Sequence, residues 1–326
     1  MRWPWRFMNR NVGAGLRARP KSAGRHRGLP LQIHDSRRML PPRPADSHKG
    51  RNGHLLAIAG SRGMSGAAAL VALGALKAGA GLVTVAIPES ERRTILPRFP
   101  ELLSLGLPET RDGCMSPGAL DVLNLYRRKH PIAAVALGPG ISTHPSVGFI
   151  VKSILKHWDI PLVLDADGIN QCRPSDLRRY PELVLTPHPG EFARLLGLSP
   201  ADVKKDGMKL AETLAREQKV VCVLKGHRTI TTNGSITWRN TTGNAAMATG
   251  GMGDVLTGII GSFLAQGLAV LDAAAAGVFI HGLAGDLAAV SDRGLLATEL
   301  ALAVPLALKA AGLKKHLRTS VNGKGG

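Results

Sequence analysis

The chain has 326 residues, 44% of them hydrophobic but only 4% aromatic, and a formal charge of +19. That length and apolar content exclude a disordered or purely fibrous chain and require a large, mostly aliphatic core. Its three cysteines, Cys114, Cys172 and Cys222, lack paired spacing, which argues against a disulfide framework or a zinc site and fits a reducing compartment such as the cytoplasm.

The charge is uneven. Residues 1–47 hold 11 Lys and Arg against two acids, Asp35 and Asp46. This segment is rich in Arg, Gly and Pro and has no apolar period, so it reads as a basic, disordered arm, dispensable for folding. Over 1–34 its charge is also that of an organellar transit peptide, but that stretch is nearly free of Ser, and it lacks the apolar stretch of a secretory signal. A translation start assigned too far upstream is a third account. The remaining body is moderately basic, which suits nucleotide-like polyanions. It carries no zinc-finger or RNA-binding signature, so no specific nucleic-acid role is expected. No run approaches 18 apolar residues without a charge or a break, so no membrane span is expected.

From about residue 48 to 315 strands and helices alternate, with 316–326 as a flexible tail and no second domain boundary. HLLAIAG (54–60), LVTVAI (82–87), IAAVALG (132–138), PLVLDAD (161–167), ELVLTP (182–187) and KVVCVLKG (219–226) are short apolar runs ending in turn or polar residues, the signature of buried strands. A helix is expected over 67–79, a hairpin over 228–238 around Asn233-Gly234, and helices over 253–266, 270–289 and 298–313. Continuous apolar strands between helices imply an α/β fold with a mostly parallel sheet covered on both faces. Right-handed crossovers gather the strand C-terminal ends on one edge, where ligands bind. The residues that matter are therefore those that follow the strands: 60–66, 138–140, 165–170, 186–191 and 225–226.

The strongest motif runs from Asn244 to Asp254, GNAAMATGGMGD with Gly243 before it, and leads directly into an apolar helix. Free N–H groups and the helix dipole make such a start an anion site. Taken alone, Asp254 is equally an acid placed by the dipole, but a helix start needs at most one glycine, and Gly250, Gly251 and Gly253 exceed that. No G-K-[ST] follows, so this is not a Walker loop, and GSRGMSG (60–66) is not the dinucleotide fingerprint. Lys225 closes a strand beside the binding edge and suits a phosphate; solvation of the strand end is the alternative. In TPHPGE (186–191) two prolines stiffen the loop that carries His188. Glu191 stands at a helix start, as a capping acid or as a holder of Mg²⁺ directly or through water. Asp165, Asp167 and Asn170 serve that ion or cap the next helix.

GNAAMATGGMGD, together with HKGRNGHLLAIAGSRGMSGAA (48–68), GALKAGAGLVTVA (74–86), ALGPG (136–140), DADGIN (165–170), TPHPGE and LKGHRT (224–229), resembles the ADP/ATP-dependent NAD(P)H-hydrate dehydratases of the ribokinase-like superfamily. The resemblance covers about 48–315. It leaves out the arm, and 47 residues are too few for the epimerase domain fused upstream in many bacterial relatives. It implies a ribokinase-like fold and repair of the S form of hydrated NADH and NADPH at the expense of ADP, with Mg²⁺ as cofactor and AMP and phosphate as products. It also implies a homo-oligomer, in one form a tetramer. By the same resemblance, Lys225, Gly226, His227, Arg228, Thr229, Gly250, Gly251 and Gly253 would bind the nucleotide. Asp254 would be the catalytic base and contact the substrate, Ala67, Gly140 and His188 would line the hydrated nicotinamide, and Glu191 would be the metal-linked acid. A thiazole or pyrimidine alcohol kinase of the same superfamily and a non-catalytic nucleotide-binding protein are the alternatives.

Overall fold

Six apolar runs become parallel neighbours because none of them has a polar face to leave in water. The computed structural model describes residues 26–30, 40, 43–95, 99–177, 180 and 182–312. Its strands are β1 (His26–Pro30), β2 (His54–Ile58), β3 (Leu82–Pro88), β4 (Leu103–Leu107), β5 (Ala134–Leu137), β6 (Leu162–Leu164), β7 (Leu183–Leu185), β8 (Val221–Leu224), β9 (Ile230–Thr232) and β10 (Ile236–Arg239). They form one sheet in the order β1-β10-β9-β8-β7-β6-β5-β2-β3-β4. The block from β8 to β4 is parallel throughout, whereas β8–β9 and β9–β10 are antiparallel, joined by the short turns at 225–229 and at Asn233-Gly234.

The helices are α1 (Ser65–Lys77), α2 (Glu89–Ile95), α3 (Ala119–Lys129), α4 (Pro145–His157), α5 (Asp167–Asn170), α6 (Pro174–Leu177), α7 (Pro189–Leu196), α8 (Pro200–Gln218), α9 (Met252–Ala265), α10 (Val270–Ala288) and α11 (Ala297–Ala310). The period of two divides the strands between two cores. In β2, Leu55 and Ala57 join α1, α9, α10 and α11 on one face, and Leu56 and Ile58 join α3, α4, α7 and α8 on the other. The α/β architecture covered on both faces is as expected.

Helices α1 and α9 touch backbone to backbone. A Cβ on Gly74 would lie 2.5 Å from the Val255 carbonyl oxygen, and one on Gly258 would lie 2.0 Å from that of Val71. Helix α10 has a mean hydropathy of 1.4 over its most apolar 18 residues, long and apolar enough by composition to cross a membrane, but charges interrupt its apolar run, in line with the expectation that no uninterrupted run of that length occurs. Asp272, His281 and Asp286 punctuate it, and 67% of the window is buried against the other helices, the pattern of a core helix.

The arm over 1–47, expected to be disordered, has ordered stretches in its second half. His26–Pro30 add an outer strand parallel to β10, Leu40 is buried, and the Arg43 guanidinium donates to the Gly79 carbonyl and, at 2.8 Å, to Gln266 Oε1. Arg43 thus ties this segment to the C-terminal ends of α1 and α9, where exposed carbonyls and the dipole favour a cation. The rest of the arm lies outside the described residues, as does the tail over 316–326. Arg43→Ala is expected to remove about 1 kcal/mol and to lower the melting temperature by about 2–4 °C; an unchanged thermal melt would leave this end of the arm without a structural role.

Candidate active site

The parallel strands deliver their C-terminal ends to one edge, and there the loops after β5 and β6 meet closely. Gly138 has φ 129°, and a Cβ there would lie 1.9 Å from the Asp165 carbonyl oxygen. This contact seats Asp165 at the end of β6, with its N–H on the Leu137 carbonyl. The next residue, Ala166, has φ 47° and ψ −123°, a strained conformation for a residue with a side chain.

Asp165 is 1% exposed, and both its carboxylate oxygens are taken. Lys225 Nζ donates to Oδ1 at 2.7 Å, and Thr257 Oγ1 donates to Oδ2 at 2.7 Å. Lys225 Nζ also lies 3.9 Å from Glu191 Oε2. Burial alone would lower the Lys225 ammonium, but Asp165, Glu191 and Asp254 outweigh it and hold it above its ordinary value. Burial raises the Glu191 carboxyl, against the pull of Lys225.

His188 is the N-cap of α7. Its Nδ1 accepts the Gly190 and Glu191 amides at 3.0 and 3.3 Å, and its Nε2 faces Glu191 Oε1 at 3.3 Å. Glu191 Oε2 in turn accepts the His188 N–H at 2.8 Å, closing a capping box.

Asp254 lies in the first turn of α9, and among the described residues none hydrogen-bonds its carboxylate. Burial pushes this carboxyl up to about 7; Asp165 adds to the effect, Lys225 opposes it, and Glu191 and Asp167 add further. No side chain caps the first turn of α9, so its amides face the site unclaimed. A Cβ on Gly253 would lie 3.3 Å from Lys225 Nζ, which brings this backbone against the ammonium. Gly251 has a different reason to be glycine: its φ is 85°, and a Cβ would strike Leu70 of α1 at 2.5 Å. Gly250 is exposed with open space around it. Buried His281 of α10 lies with Nε2 2.9 Å from the Met252 carbonyl and steadies this helix start; burial lowers it to about 4, so the ring is neutral.

The structure therefore brings Lys225, Glu191, Gly253 and Asp254 together around Asp165, with His188 attached through Glu191. Ala67 and Gly140 form a neighbouring group, since a Cβ on Gly140 would lie 3.0 Å from that of Ala67. They stand at the ends of β2 and β5, and His188 stands two strands along the edge at β7. Gly226, His227, Arg228 and Thr229 make a tight turn outside the cluster: Thr229 Oγ1 donates to the Gly226 carbonyl at 3.0 Å, and His227 and Arg228 are exposed. Thr257 and His281 escape a sequence reading because each lies inside an apolar helical run. Their sole signal is a polar residue where the helix period demands burial.

Residues 55–306 match the family described as NAD(P)H-hydrate dehydratase. The chain belongs to that family. It is 42% identical over 87% of its length to the bifunctional NAD(P)H-hydrate repair enzyme Nnr of Moorella thermoacetica, spanning 54% of that protein. It is 38% identical over 79% of its length to the ADP-dependent (S)-NAD(P)H-hydrate dehydratase of Neisseria meningitidis, spanning 86% of it. The chain thus spans about half the length of the bifunctional relatives it matches. Among solved structures, the Bacillus subtilis ADP/ATP-dependent NAD(P)H-hydrate dehydratase, co-crystallised with ATP and Mg²⁺, superposes with TM-score 0.73 at 32% identity, covering 87% of this chain and 99% of that one. A ribokinase-like superfamily protein from Enterococcus faecalis superposes with TM-score 0.76 at 27% identity, covering 88% and 97%. The family's fold is ribokinase-like α/β, in agreement with the motif reading.

Proposed function

We propose that this chain dehydrates the S form of hydrated NADH and NADPH, consuming ADP and giving AMP and phosphate. The observation that carries the reading is Asp254: a carboxyl without a hydrogen-bond partner among the described residues, raised to about 7, at an uncapped glycine-rich helix start beside Lys225. A base with that proton affinity is matched to neutral pH, and the helix start beside it is a seat for a terminal phosphate.

The hydrate carries a hydroxyl on its reduced nicotinamide ring, and hydroxide is a poor leaving group. Asp254 takes the hydroxyl proton while that oxygen attacks the terminal phosphorus of ADP, and AMP leaves. The Gly250–Gly253 amides and the Lys225 ammonium hold the phosphoryl oxygens. The ring nitrogen's electron pair then expels phosphate, a neighbouring ring proton is lost, and the double bond of the reduced nicotinamide is restored. Ala67, Gly140 and His188 line the ring, and the turn Gly226–Thr229 holds the nucleotide's outer part.

Magnesium suits this acid-rich edge, where Asp165, Glu191 and Asp254 surround one ammonium and Asp167 stands nearby. Both oxygens of Glu191 already face donors on His188, so Glu191 would hold the ion through a water, as Mg²⁺ commonly retains its waters. When bound it would neutralise charge on the transferring phosphate. Cys114, Cys172 and Cys222 are all buried free thiols, which supports the cytoplasm as the working compartment. Leu302 and Leu306, 56% and 59% exposed one turn apart on α11, support a homo-oligomer.

The test is incubation of hydrated NADH with Mg²⁺ and either ADP or ATP, following the return of reduced-nicotinamide absorbance. ADP is expected to be the better donor. Faster recovery with ATP changes the donor and keeps the enzyme class. No recovery with either, together with phosphorylation of a thiazole or pyrimidine alcohol, makes the chain a kinase.

A further inference from the structure

We infer that Arg62 binds a phosphate of the dinucleotide substrate and so anchors the half of it that carries no chemistry; this rests on the dehydratase reading above. The site is laid out along one edge of the sheet, and its two nucleotides need different stretches of that edge. The donor side is at β8 and β9, with Lys225 and the turn after it. The reacting group, Asp254, lies beside Asp165 at the end of β6, and Ala67 and Gly140 mark the ring beyond β2 and β5. With the β8 side taken, the rest of the dinucleotide continues beyond β2, toward the ends of β3 and β4. Those ends lie one and two strand spacings away, roughly 5 and 10 Å.

Arg62 occupies that stretch. It sits in the loop after β2, two residues beyond Gly60, in the same loop whose Ser61 Oγ donates to the Gly140 carbonyl at 2.8 Å. The loop is braced against the one that follows β4. The Arg62 amide donates to the Gly113 carbonyl at 3.0 Å, and Nη1 donates to the Arg111 carbonyl at 2.8 Å. A Cβ on Gly113 would lie 2.5 Å from the Arg62 Cβ, so glycine is required for the side chain to lie there. One arm of the guanidinium is thus fixed. Among the described residues the other, Nη2, faces only Glu109 Oε1, at a loose 3.9 Å, and the side chain is 53% exposed. Glu109 is itself engaged through Oε2 with the Ser90 amide and hydroxyl. An oriented guanidinium with free donors and a weak, divided counter-ion is built to accept a phosphate, for which its planar fork is matched.

The experiment measures steady-state kinetics of wild type, Arg62→Ala, Arg62→Lys and Glu109→Gln with hydrated NADH and hydrated NADPH at saturating ADP and Mg²⁺, with thermal melts of each. In Arg62→Ala the KM for hydrate is expected to rise about 10- to 100-fold, the worth of a charge-assisted contact, with kcat and the KM for ADP within about twofold. Arg62→Lys is expected to recover part of the loss, and Glu109→Gln to lower the hydrate KM. Equal effects on both hydrates place the diphosphate on Arg62, and an effect confined to the NADPH hydrate places the ribose phosphate there. An active wild type whose hydrate KM is unmoved in a folded Arg62→Ala overturns the phosphate seat alone. A wild type that recovers no reduced nicotinamide overturns the reading of the site and this seat with it.

Discussion

Replacing Asp254 with Asn is expected to lower turnover by about 10²–10⁴-fold, the usual contribution of a positioned general base, while folding and ADP affinity survive because the loop amides remain. The pH dependence sharpens the test. The base acts only when ionised, and its carboxyl lies at about 7, so wild-type kcat/KM should rise with pH to about 7 and level off above it. The residual rate of the Asn variant should lack that limb. Stability should move the opposite way. A carboxyl raised in the folded state binds its proton more tightly there than in the unfolded chain, so wild-type stability falls as pH climbs from the ordinary carboxylate range to about 7. Asp254→Asn escapes that loss and should melt above wild type at pH 8, with the gap closing toward pH 4. A variant that keeps full turnover removes Asp254 from the chemistry.

Lys225→Ala is expected to damage both folding and binding. It leaves the Asp165 carboxylate, 1% exposed, with Thr257 as its only side-chain donor among the described residues. Breaking such a buried pair from one side costs about 3–5 kcal/mol. Adding Asp165→Asn should recover much of that stability in a denaturant melt, because the stranded charge is gone. The double variant should still bind ADP about 10- to 100-fold more weakly by calorimetric titration, since the ammonium is missing. A single variant as stable as wild type contradicts the ion-pair argument, and undiminished ADP affinity in the double variant takes Lys225 out of the nucleotide seat.

The parts of this structure that are legible in sequence are those whose signal is local. The runs 54–60, 82–87, 132–138, 161–167, 182–187 and 219–226 read as strands because a strand buried on both faces has no polar side to disguise it. Helix bounds fall within about two residues of the expected ones where glycine or a polar turn marks the end, and at α11 the helix stops three residues early, at Ala310. Strand β4, LSLGL, passes unseen because it lies at the sheet edge with Leu103 exposed and a glycine, Gly106, within it. Strand β1 passes unseen because HRGLP has the composition of coil and gains its partner only when β10 is in place. In the site, the spacing of Gly250, Gly251, Gly253 and Asp254 announces an anion-binding helix start. It does not show that Leu70 and a positive φ are what require glycine at 251. Lys225 and Asp165 are separated by 60 residues, and only the parallel order of β6, β7 and β8 makes them neighbours; residue types alone leave Lys225 pointing at a phosphate and Asp165 capping a helix.

The contact of α1 with α9 through Gly74 and Gly258 constrains how the molecule moves. With backbone pressed on backbone there is no layer of side chains to act as bearings, so the two helices cannot slide or roll past each other. One carries Ala67 at its head and the other Gly253 and Asp254. Ala67 and Asp254 therefore travel as a single body. Motion along this edge then falls to segments outside that body, such as the turn after β8.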